Sequence, residues 1–117
     1  MKRRVRFVSL LVLASGLASA CSAQRELEAT LKRDLLMMRD AIDNYTLDKK
    51  QAPQSRQDLV DGHHLREIPA DPFTRKKDWV PQFDSVVLSP TQTSTGIVDV
   101  HSNSTQVGGN GAPYNEW

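Results

Sequence analysis

The sequence predicts an α+β protein, in which a long N-terminal amphipathic helix packs on a small C-terminal antiparallel sheet. Three observations carry this expectation. Leu27, Leu31, Leu35, Met38, Ile42 and Tyr45 recur at steps of three and four, which places them on one helical stripe. No Gly or Pro interrupts residues 22 to 52. Two short β signals, "FDSVVL" at 83 to 88 and "GIVDVHS" at 96 to 102, come only near the end. At 117 residues the chain holds one small domain. Its lone cysteine, Cys21, rules out an internal disulfide, so stability has to come from helix packing or from neighbouring copies.

Residues 1 to 20 read as a signal peptide. "MKRRVR" is a basic start, "FVSLLVLASGLASA" an apolar run, and Ala18-Ser19-Ala20 a small-x-small cleavage site. The run is short for a permanent span, which needs about 20 apolar residues. We expect cleavage between Ala20 and Cys21, and residues 21 to 117 as the exported domain. "LASAC" resembles the box of bacterial lipoproteins, although Leu17 stands one residue too far from the cysteine, and points to lipidation of Cys21 and a membrane-anchored, periplasm-facing protein of the bacterial cell envelope. The alternative is an ordinary signal-peptidase cut at the same bond that leaves Cys21 unmodified. Lys2, Arg3, Arg4 and Arg6 are four of the fifteen basic residues, so the exported part carries eleven basic against fourteen acidic side chains, a charge near −3. That balance argues against a nucleic-acid partner.

The stripe from Leu27 to Tyr45 forms the inner face of the long helix. Of the adjacent Met37 and Met38, core filling is the expected use. Leu36, Met37 and Ala41 lie off the stripe; a subunit of a larger assembly would expose them, and a stand-alone binding module would bury them. Pro53 ends the segment by driving Ala52 out of helical geometry. "SRQDLV", 55 to 60, predicts a second helix with Ser55 as N-cap, Asp58 at the capping-box position and Gly62 as the stop. "LREIPADPF", 65 to 73, follows as an extended loop that folds Leu65, Ile68 and Phe73 onto the long helix. In the last strand Val98 and Val100 are expected to face the helix, with Asp99 and His101 turned to water or the next turn. "GGNGAPYNEW" reads as loop, with Trp117 as a hydrophobic plug.

Tyr45, Asp48, Pro53, Leu59, Leu65, Pro69, Asp71, Pro72, Leu88, Ser89, Pro90 and Trp117 together make an ordered pattern. A helix ends in a tyrosine and an Asp-rich step. A proline, a short helix, a "DPF" segment, an "LSP" strand and a C-terminal tryptophan follow. This order resembles the periplasmic head of the major pseudopilin of type II secretion systems, the G-type subunit. The resemblance implies a pilin-like head and a structural role in protein transport. In that role, subunits stack through their helices into a short filament that helps push folded proteins through the outer membrane. It implies other pseudopilins or secretion-system proteins as partners, with the membrane reached through Cys21, and no small-molecule substrate. The alternative is an envelope lipoprotein that uses the same head as a protein-binding module.

Two features depart from the family. Its leader is cut after a glycine and exposes an apolar helix with glutamate fifth; here the fifth residue after Gly16 is Cys21, and the chain turns polar beyond Ala20. The family's C-terminal loop binds calcium through aspartates and main-chain carbonyls. In "HSNSTQVGGNGAPYNE" the only carboxylate is Glu116, with Asp99 just upstream. Calcium wants six to eight oxygens, so we expect no cofactor, and a loop closed by its own Asn and Ser side chains. His63, His64 and His101 form no ligand set and are expected to be solvated, and no catalytic motif is present. We expect no enzyme activity and no metal.

Overall fold

The computed structural model describes residues 2–84 and 95–117, with side chains from residue 21 onward. The fold is α+β. Helix α1 (Lys2–Lys49) is followed by α2 (Arg56–Asp61), strands β1 (Val80–Phe83) and β2 (Ile97–His101), and a 3-10 turn at Tyr114–Glu116. Among the described residues the two strands pair as an antiparallel sheet, and α1 packs along β2.

Helix α1 begins well upstream of the expected Ser22 and runs unbroken through the Ala20–Cys21 bond. Nothing in 2 to 21 forbids this, since a single Gly inside a helix costs only about 1 kcal/mol. It ends at Lys49, where Lys50 takes a left-handed conformation (φ 55°), the position usually given to glycine. Pro53 is buried just beyond, and its carbonyl accepts the Ile97 amide at 2.8 Å, which starts β2 against the end of the helix. Gly96 is required at this crossing: a Cβ there would lie 2.3 Å from the Ala52 Cβ.

Four of the six stripe residues, Leu31, Leu35, Met38 and Ile42, are core, and Tyr45 is half-buried against it. Leu27 is exposed, because the head's cover reaches only to the turn that holds Leu31. Met38 fills the core as expected of the methionine pair, whereas Met37 is 42% exposed. Ser55 caps α2, and both arms of the capping box form: Asp58 N–H donates to the Ser55 hydroxyl, and the Asp58 carboxylate accepts from the Ser55 N–H at 3.2 Å. Asp therefore reaches the position where Glu is the usual choice. Leu65 is buried, and Ile68 and Phe73 pack on the core from the loop. Trp79, which the sequence reading passed over, is buried among them, with its indole N–H donating to the Pro69 carbonyl at 2.7 Å.

Two expectations about the sheet need correction. The first strand lies at 80–83, before most of "FDSVVL"; residues 85–94, including Leu88, Ser89 and Pro90, fall outside the described residues. Val98 is 36% exposed and stays outside the core, at a cleft beside the end of α1. Phe83 pairs with Ile97 and Gln82 with Asp99, which leaves Val98 as the extra residue of a bulge. That insertion shifts the parity, so Ile97 and Val100 face inward, three positions apart.

Because α1 is the only long element among the described residues, its buried stripe should dominate stability. Leu31→Ala should cost about 2–5 kcal/mol in urea unfolding, whereas Leu27→Ala should stay within about 0.5 kcal/mol of the parent. Equal losses would mean that the helix is covered further toward its start than described here.

Candidate functional site: a clamped C-terminal segment and an open helix face

Two surfaces of α1 carry the features that bear on function. The first is a polar row, Glu28, Lys32 and Arg39, that grips the C-terminal segment. The Arg39 Nε donates to Asp99 Oδ1 at 2.7 Å, and its Nη2 donates to the main-chain oxygens of Val100 (3.1 Å) and Trp117 (2.8 Å). His101 donates from Nδ1 to the same Trp117 oxygen at 3.0 Å, while its Nε2 lies 3.6 Å from the other Asp99 oxygen. Lys32 stands 5.1 Å over the Trp117 ring, within cation–π range. Glu28 accepts from the Tyr114 hydroxyl at 2.7 Å and from the Gly109 N–H at 2.9 Å. The Tyr114 hydrogen bond, then that of Gly109, hold the Glu28 carboxyl below its ordinary range. Burial, the larger cause, and the Glu28 charge push the Tyr114 hydroxyl up.

The segment is also closed on itself. Val107 bridges Pro113, Asn110 Oδ1 accepts from the Ala112 N–H at 3.0 Å, and Ser104 Oγ accepts from the Gln106 N–H at 3.3 Å. This is the expected closure by Asn and Ser side chains. Gly108 lets the strand pass beneath Trp117; a Cβ there would sit 2.5 Å from the indole ring. Trp117 itself is half-buried on the core, edge-on to the fully buried Tyr114.

Asp71 forms the deepest polar node. It is buried; Oδ1 accepts from the Phe73 and Thr74 amides, and Oδ2 accepts from the Ser102 hydroxyl. One side chain thus shapes the "DPF" turn and pins it to the end of β2. Asp34, on α1, is also buried, and its carboxyl is raised above the ordinary range by desolvation first and by the nearby Asp71 charge.

The histidines depart from expectation. His63 is exposed, but the His64 side chain is only 12% exposed, packs edge-on to Tyr45 and lies 3.2 Å from Asp48 through Nε2. Asp99 and His101 are likewise half-buried and engaged with Arg39 and Trp117 rather than turned to water. Among the described residues no group of three His, Cys, Asp or Glu side chains is placed to hold a metal. Asp99 is already occupied by Arg39, and Glu116 points outward, exposed. The donor set therefore does not fit the calcium site implied by the resemblance.

The second surface lies opposite the core. Leu36 is 62% exposed and Leu47, about three turns further on, 78%. Next to Leu47 a cleft is lined by Ile42, Asp43, Thr46, Ala52 and Val98, so the bulge that turns Val98 outward adds to the same apolar area. Ala41, in contrast to Leu36 and Met37, is buried. Exposed charges flank this side: Arg25, Glu26 and Arg33 precede Leu36, and Asp40 and Asp43 follow it. Cys21 is exposed on the helix, ten positions before the first fully buried residue, Leu31. Among the described residues, no helix is long and apolar enough to cross a membrane.

Compared with protein-family models, with curated proteins and with solved structures, the chain matches none of them.

The two shifted carboxyls predict opposite responses to pH. Asp34 is easier to protonate folded than unfolded, so its ionisation costs stability as pH rises through and above the carboxylate range. Asp34→Asn should raise the melting midpoint at neutral pH, and the gain should vanish under acid conditions. Glu28 is harder to protonate folded, so its contribution is present above the ordinary Glu range and lost as pH falls through the depressed value. Glu28→Gln should therefore lower the midpoint at neutral pH only. Melting curves from pH 3 to 7 that moved both variants in the same direction would contradict this assignment.

Proposed function

We propose that the chain is a non-catalytic structural component of a type II secretion or pilus-like assembly, built on a pseudopilin-like head. The observation that carries this reading is the open face of α1. Exposed leucines on the outer side of a helix whose inner side already supplies the core are costly to leave in water, at roughly 25 cal/mol per Å². A stand-alone module would be expected to bury Leu36, Met37 and Ala41; Ala41 is buried, and the two large side chains, Leu36 and Met37, are exposed. The flanking charges fit a second copy of the same helix. A parallel neighbour shifted by roughly 12 Å along the axis sets Arg33 of one copy beside Asp40 and Asp43 of the next. Polar groups at the head's interior, Asp71, Ser102 and Ser104, bond to the fold itself, which suits a scaffold.

A lipid on Cys21 fits the same reading. The thiol is exposed, and ten helical residues separate it from Leu31, so a tethered head would stand about 15 Å from its anchor. Secretion-system partners at the membrane would then be within reach of the open face. The protein acts in the cell envelope, facing the periplasm.

The double variant Leu36→Asp with Leu47→Asp tests the reading. Both side chains are exposed, so unfolding free energy should change by no more than about 1 kcal/mol. Chemical cross-linking between copies in the envelope should be lost, and release of folded enzymes to the medium should stop while their export to the periplasm continues. Unimpaired release with a folded double variant would sink the proposal.

A further inference from the structure

The oxygens that converge on Arg39 are of the kind a hard cation collects. One is an aspartate carboxylate oxygen and two are main-chain oxygens, at 2.7, 3.1 and 2.8 Å. They come from β2 (Asp99, Val100) and from the far end of the C-terminal segment (Trp117), eighteen positions beyond Asp99. Oxygens cannot hydrogen-bond one another without a shared donor; the guanidinium supplies donors to all three, and the His101 imidazole on β2 adds one further bond to the Trp117 oxygen, at 3.0 Å. We propose that Arg39 is the built-in cation that closes the C-terminal segment onto the sheet, so that this head reaches its folded, assembly-competent form without calcium.

The guanidinium is suited to the task. Its planar fork presents donors in fixed directions, so that one side chain can serve the Asp99 carboxylate from Nε and two carbonyls from Nη2. It projects from α1, ten residues before the helix ends at Lys49, so the cation is held by the fold rather than drawn from solution. Around it, Asp99 is fully used: Oδ1 also accepts the Val100 N–H at 2.8 Å, and Oδ2 faces His101. A divalent ion entering here would meet a positive charge and an occupied carboxylate.

Closure by Arg39 stands on this geometry alone, whereas the contrast with calcium rests on the pseudopilin reading. The experiment separates the two. Thermal unfolding of the full chain, followed by circular dichroism, is compared in excess calcium and in excess chelator, for the parent and for Arg39→Gln. The parent midpoint should be the same in both solutions. Arg39→Gln should melt about 5 °C lower, and calcium should not restore it. Should Arg39→Gln fail to fold, Arg39→Lys, which keeps the charge and loses the fork, should melt between parent and collapse and again ignore calcium. A parent midpoint that falls in chelator would overturn the calcium-free half. An unchanged midpoint in Arg39→Gln would overturn closure by Arg39 and leave the pseudopilin reading untouched.

Discussion

Helix, sheet and C-terminal segment meet at one guanidinium. Arg39 sits one residue after Met38, whose side chain is fully buried, so the helix places a core residue and a polar clamp side by side on adjacent faces. The apolar face alone cannot hold the end of the chain. Residues 102 to 117 contain a single fully buried apolar side chain, Tyr114, and hydrophobic burial has no directional preference. What gives this segment a defined position is the polar row: Glu28 on Tyr114 and Gly109, Lys32 over Trp117, Arg39 on Asp99, Val100 and Trp117. The ion pair in this row, Arg39 with Asp99, is worth little by itself, about 0–1 kcal/mol, and the hydrogen bonds and the cation–π contact are each worth roughly 0.5–1.5 kcal/mol. Their sum matters because all three arise from one rigid helix and converge on one segment.

A second constraint comes from the size of the sheet. Two strands of four and five residues are too few to be stable alone and need a partner surface. The partner is α1 on the inside, and the loop from 65 to 79 closes the remaining side through Leu65, Phe73 and Trp79. Asp71 makes that loop adhere. Its carboxylate organises the turn at Phe73 and Thr74 and takes the Ser102 hydroxyl from the other side, so removing it would leave a buried amide or hydroxyl without a partner. The aspartate of the "DPF" stretch is thus a structural node.

Much of this was legible in the sequence where the governing contacts are local. The buried run from Leu31 to Ile42 follows from period alone, and α2 follows from Ser55, Asp58 and Gly62, three residues that cap their own helix. The tail's closure by Asn110 and Ser104 is local too. Strand β1 escaped because "VPQF" contains a proline and has an almost uniformly exposed surface, so no alternation marks it. Val98 was misplaced because a bulge inserts one residue, and alternation has no memory of such a shift. Leu27 continued the periodic stripe to the edge of the head, where it is 39% exposed and outside the core. The clamp was invisible for a different reason. Arg39 and its partners are 60 to 78 positions apart, and in the sequence it reads as one more charge on a polar face.

The two faces of α1 therefore divide its work. One side and its polar border are consumed by the head, through Leu31, Leu35, Met38 and Ile42 and then Glu28, Lys32 and Arg39. The opposite side keeps Leu36 and Leu47 in water, flanked by exposed charges. A helix whose only task was to support a small sheet would gain solubility from polar residues at both leucine positions. Retaining them is consistent with a surface kept for contact. Because the clamp is internal, that surface is presented by a helix already locked to its own C-terminal segment. The head can then dock as one rigid piece, and little ordering entropy is left to oppose association.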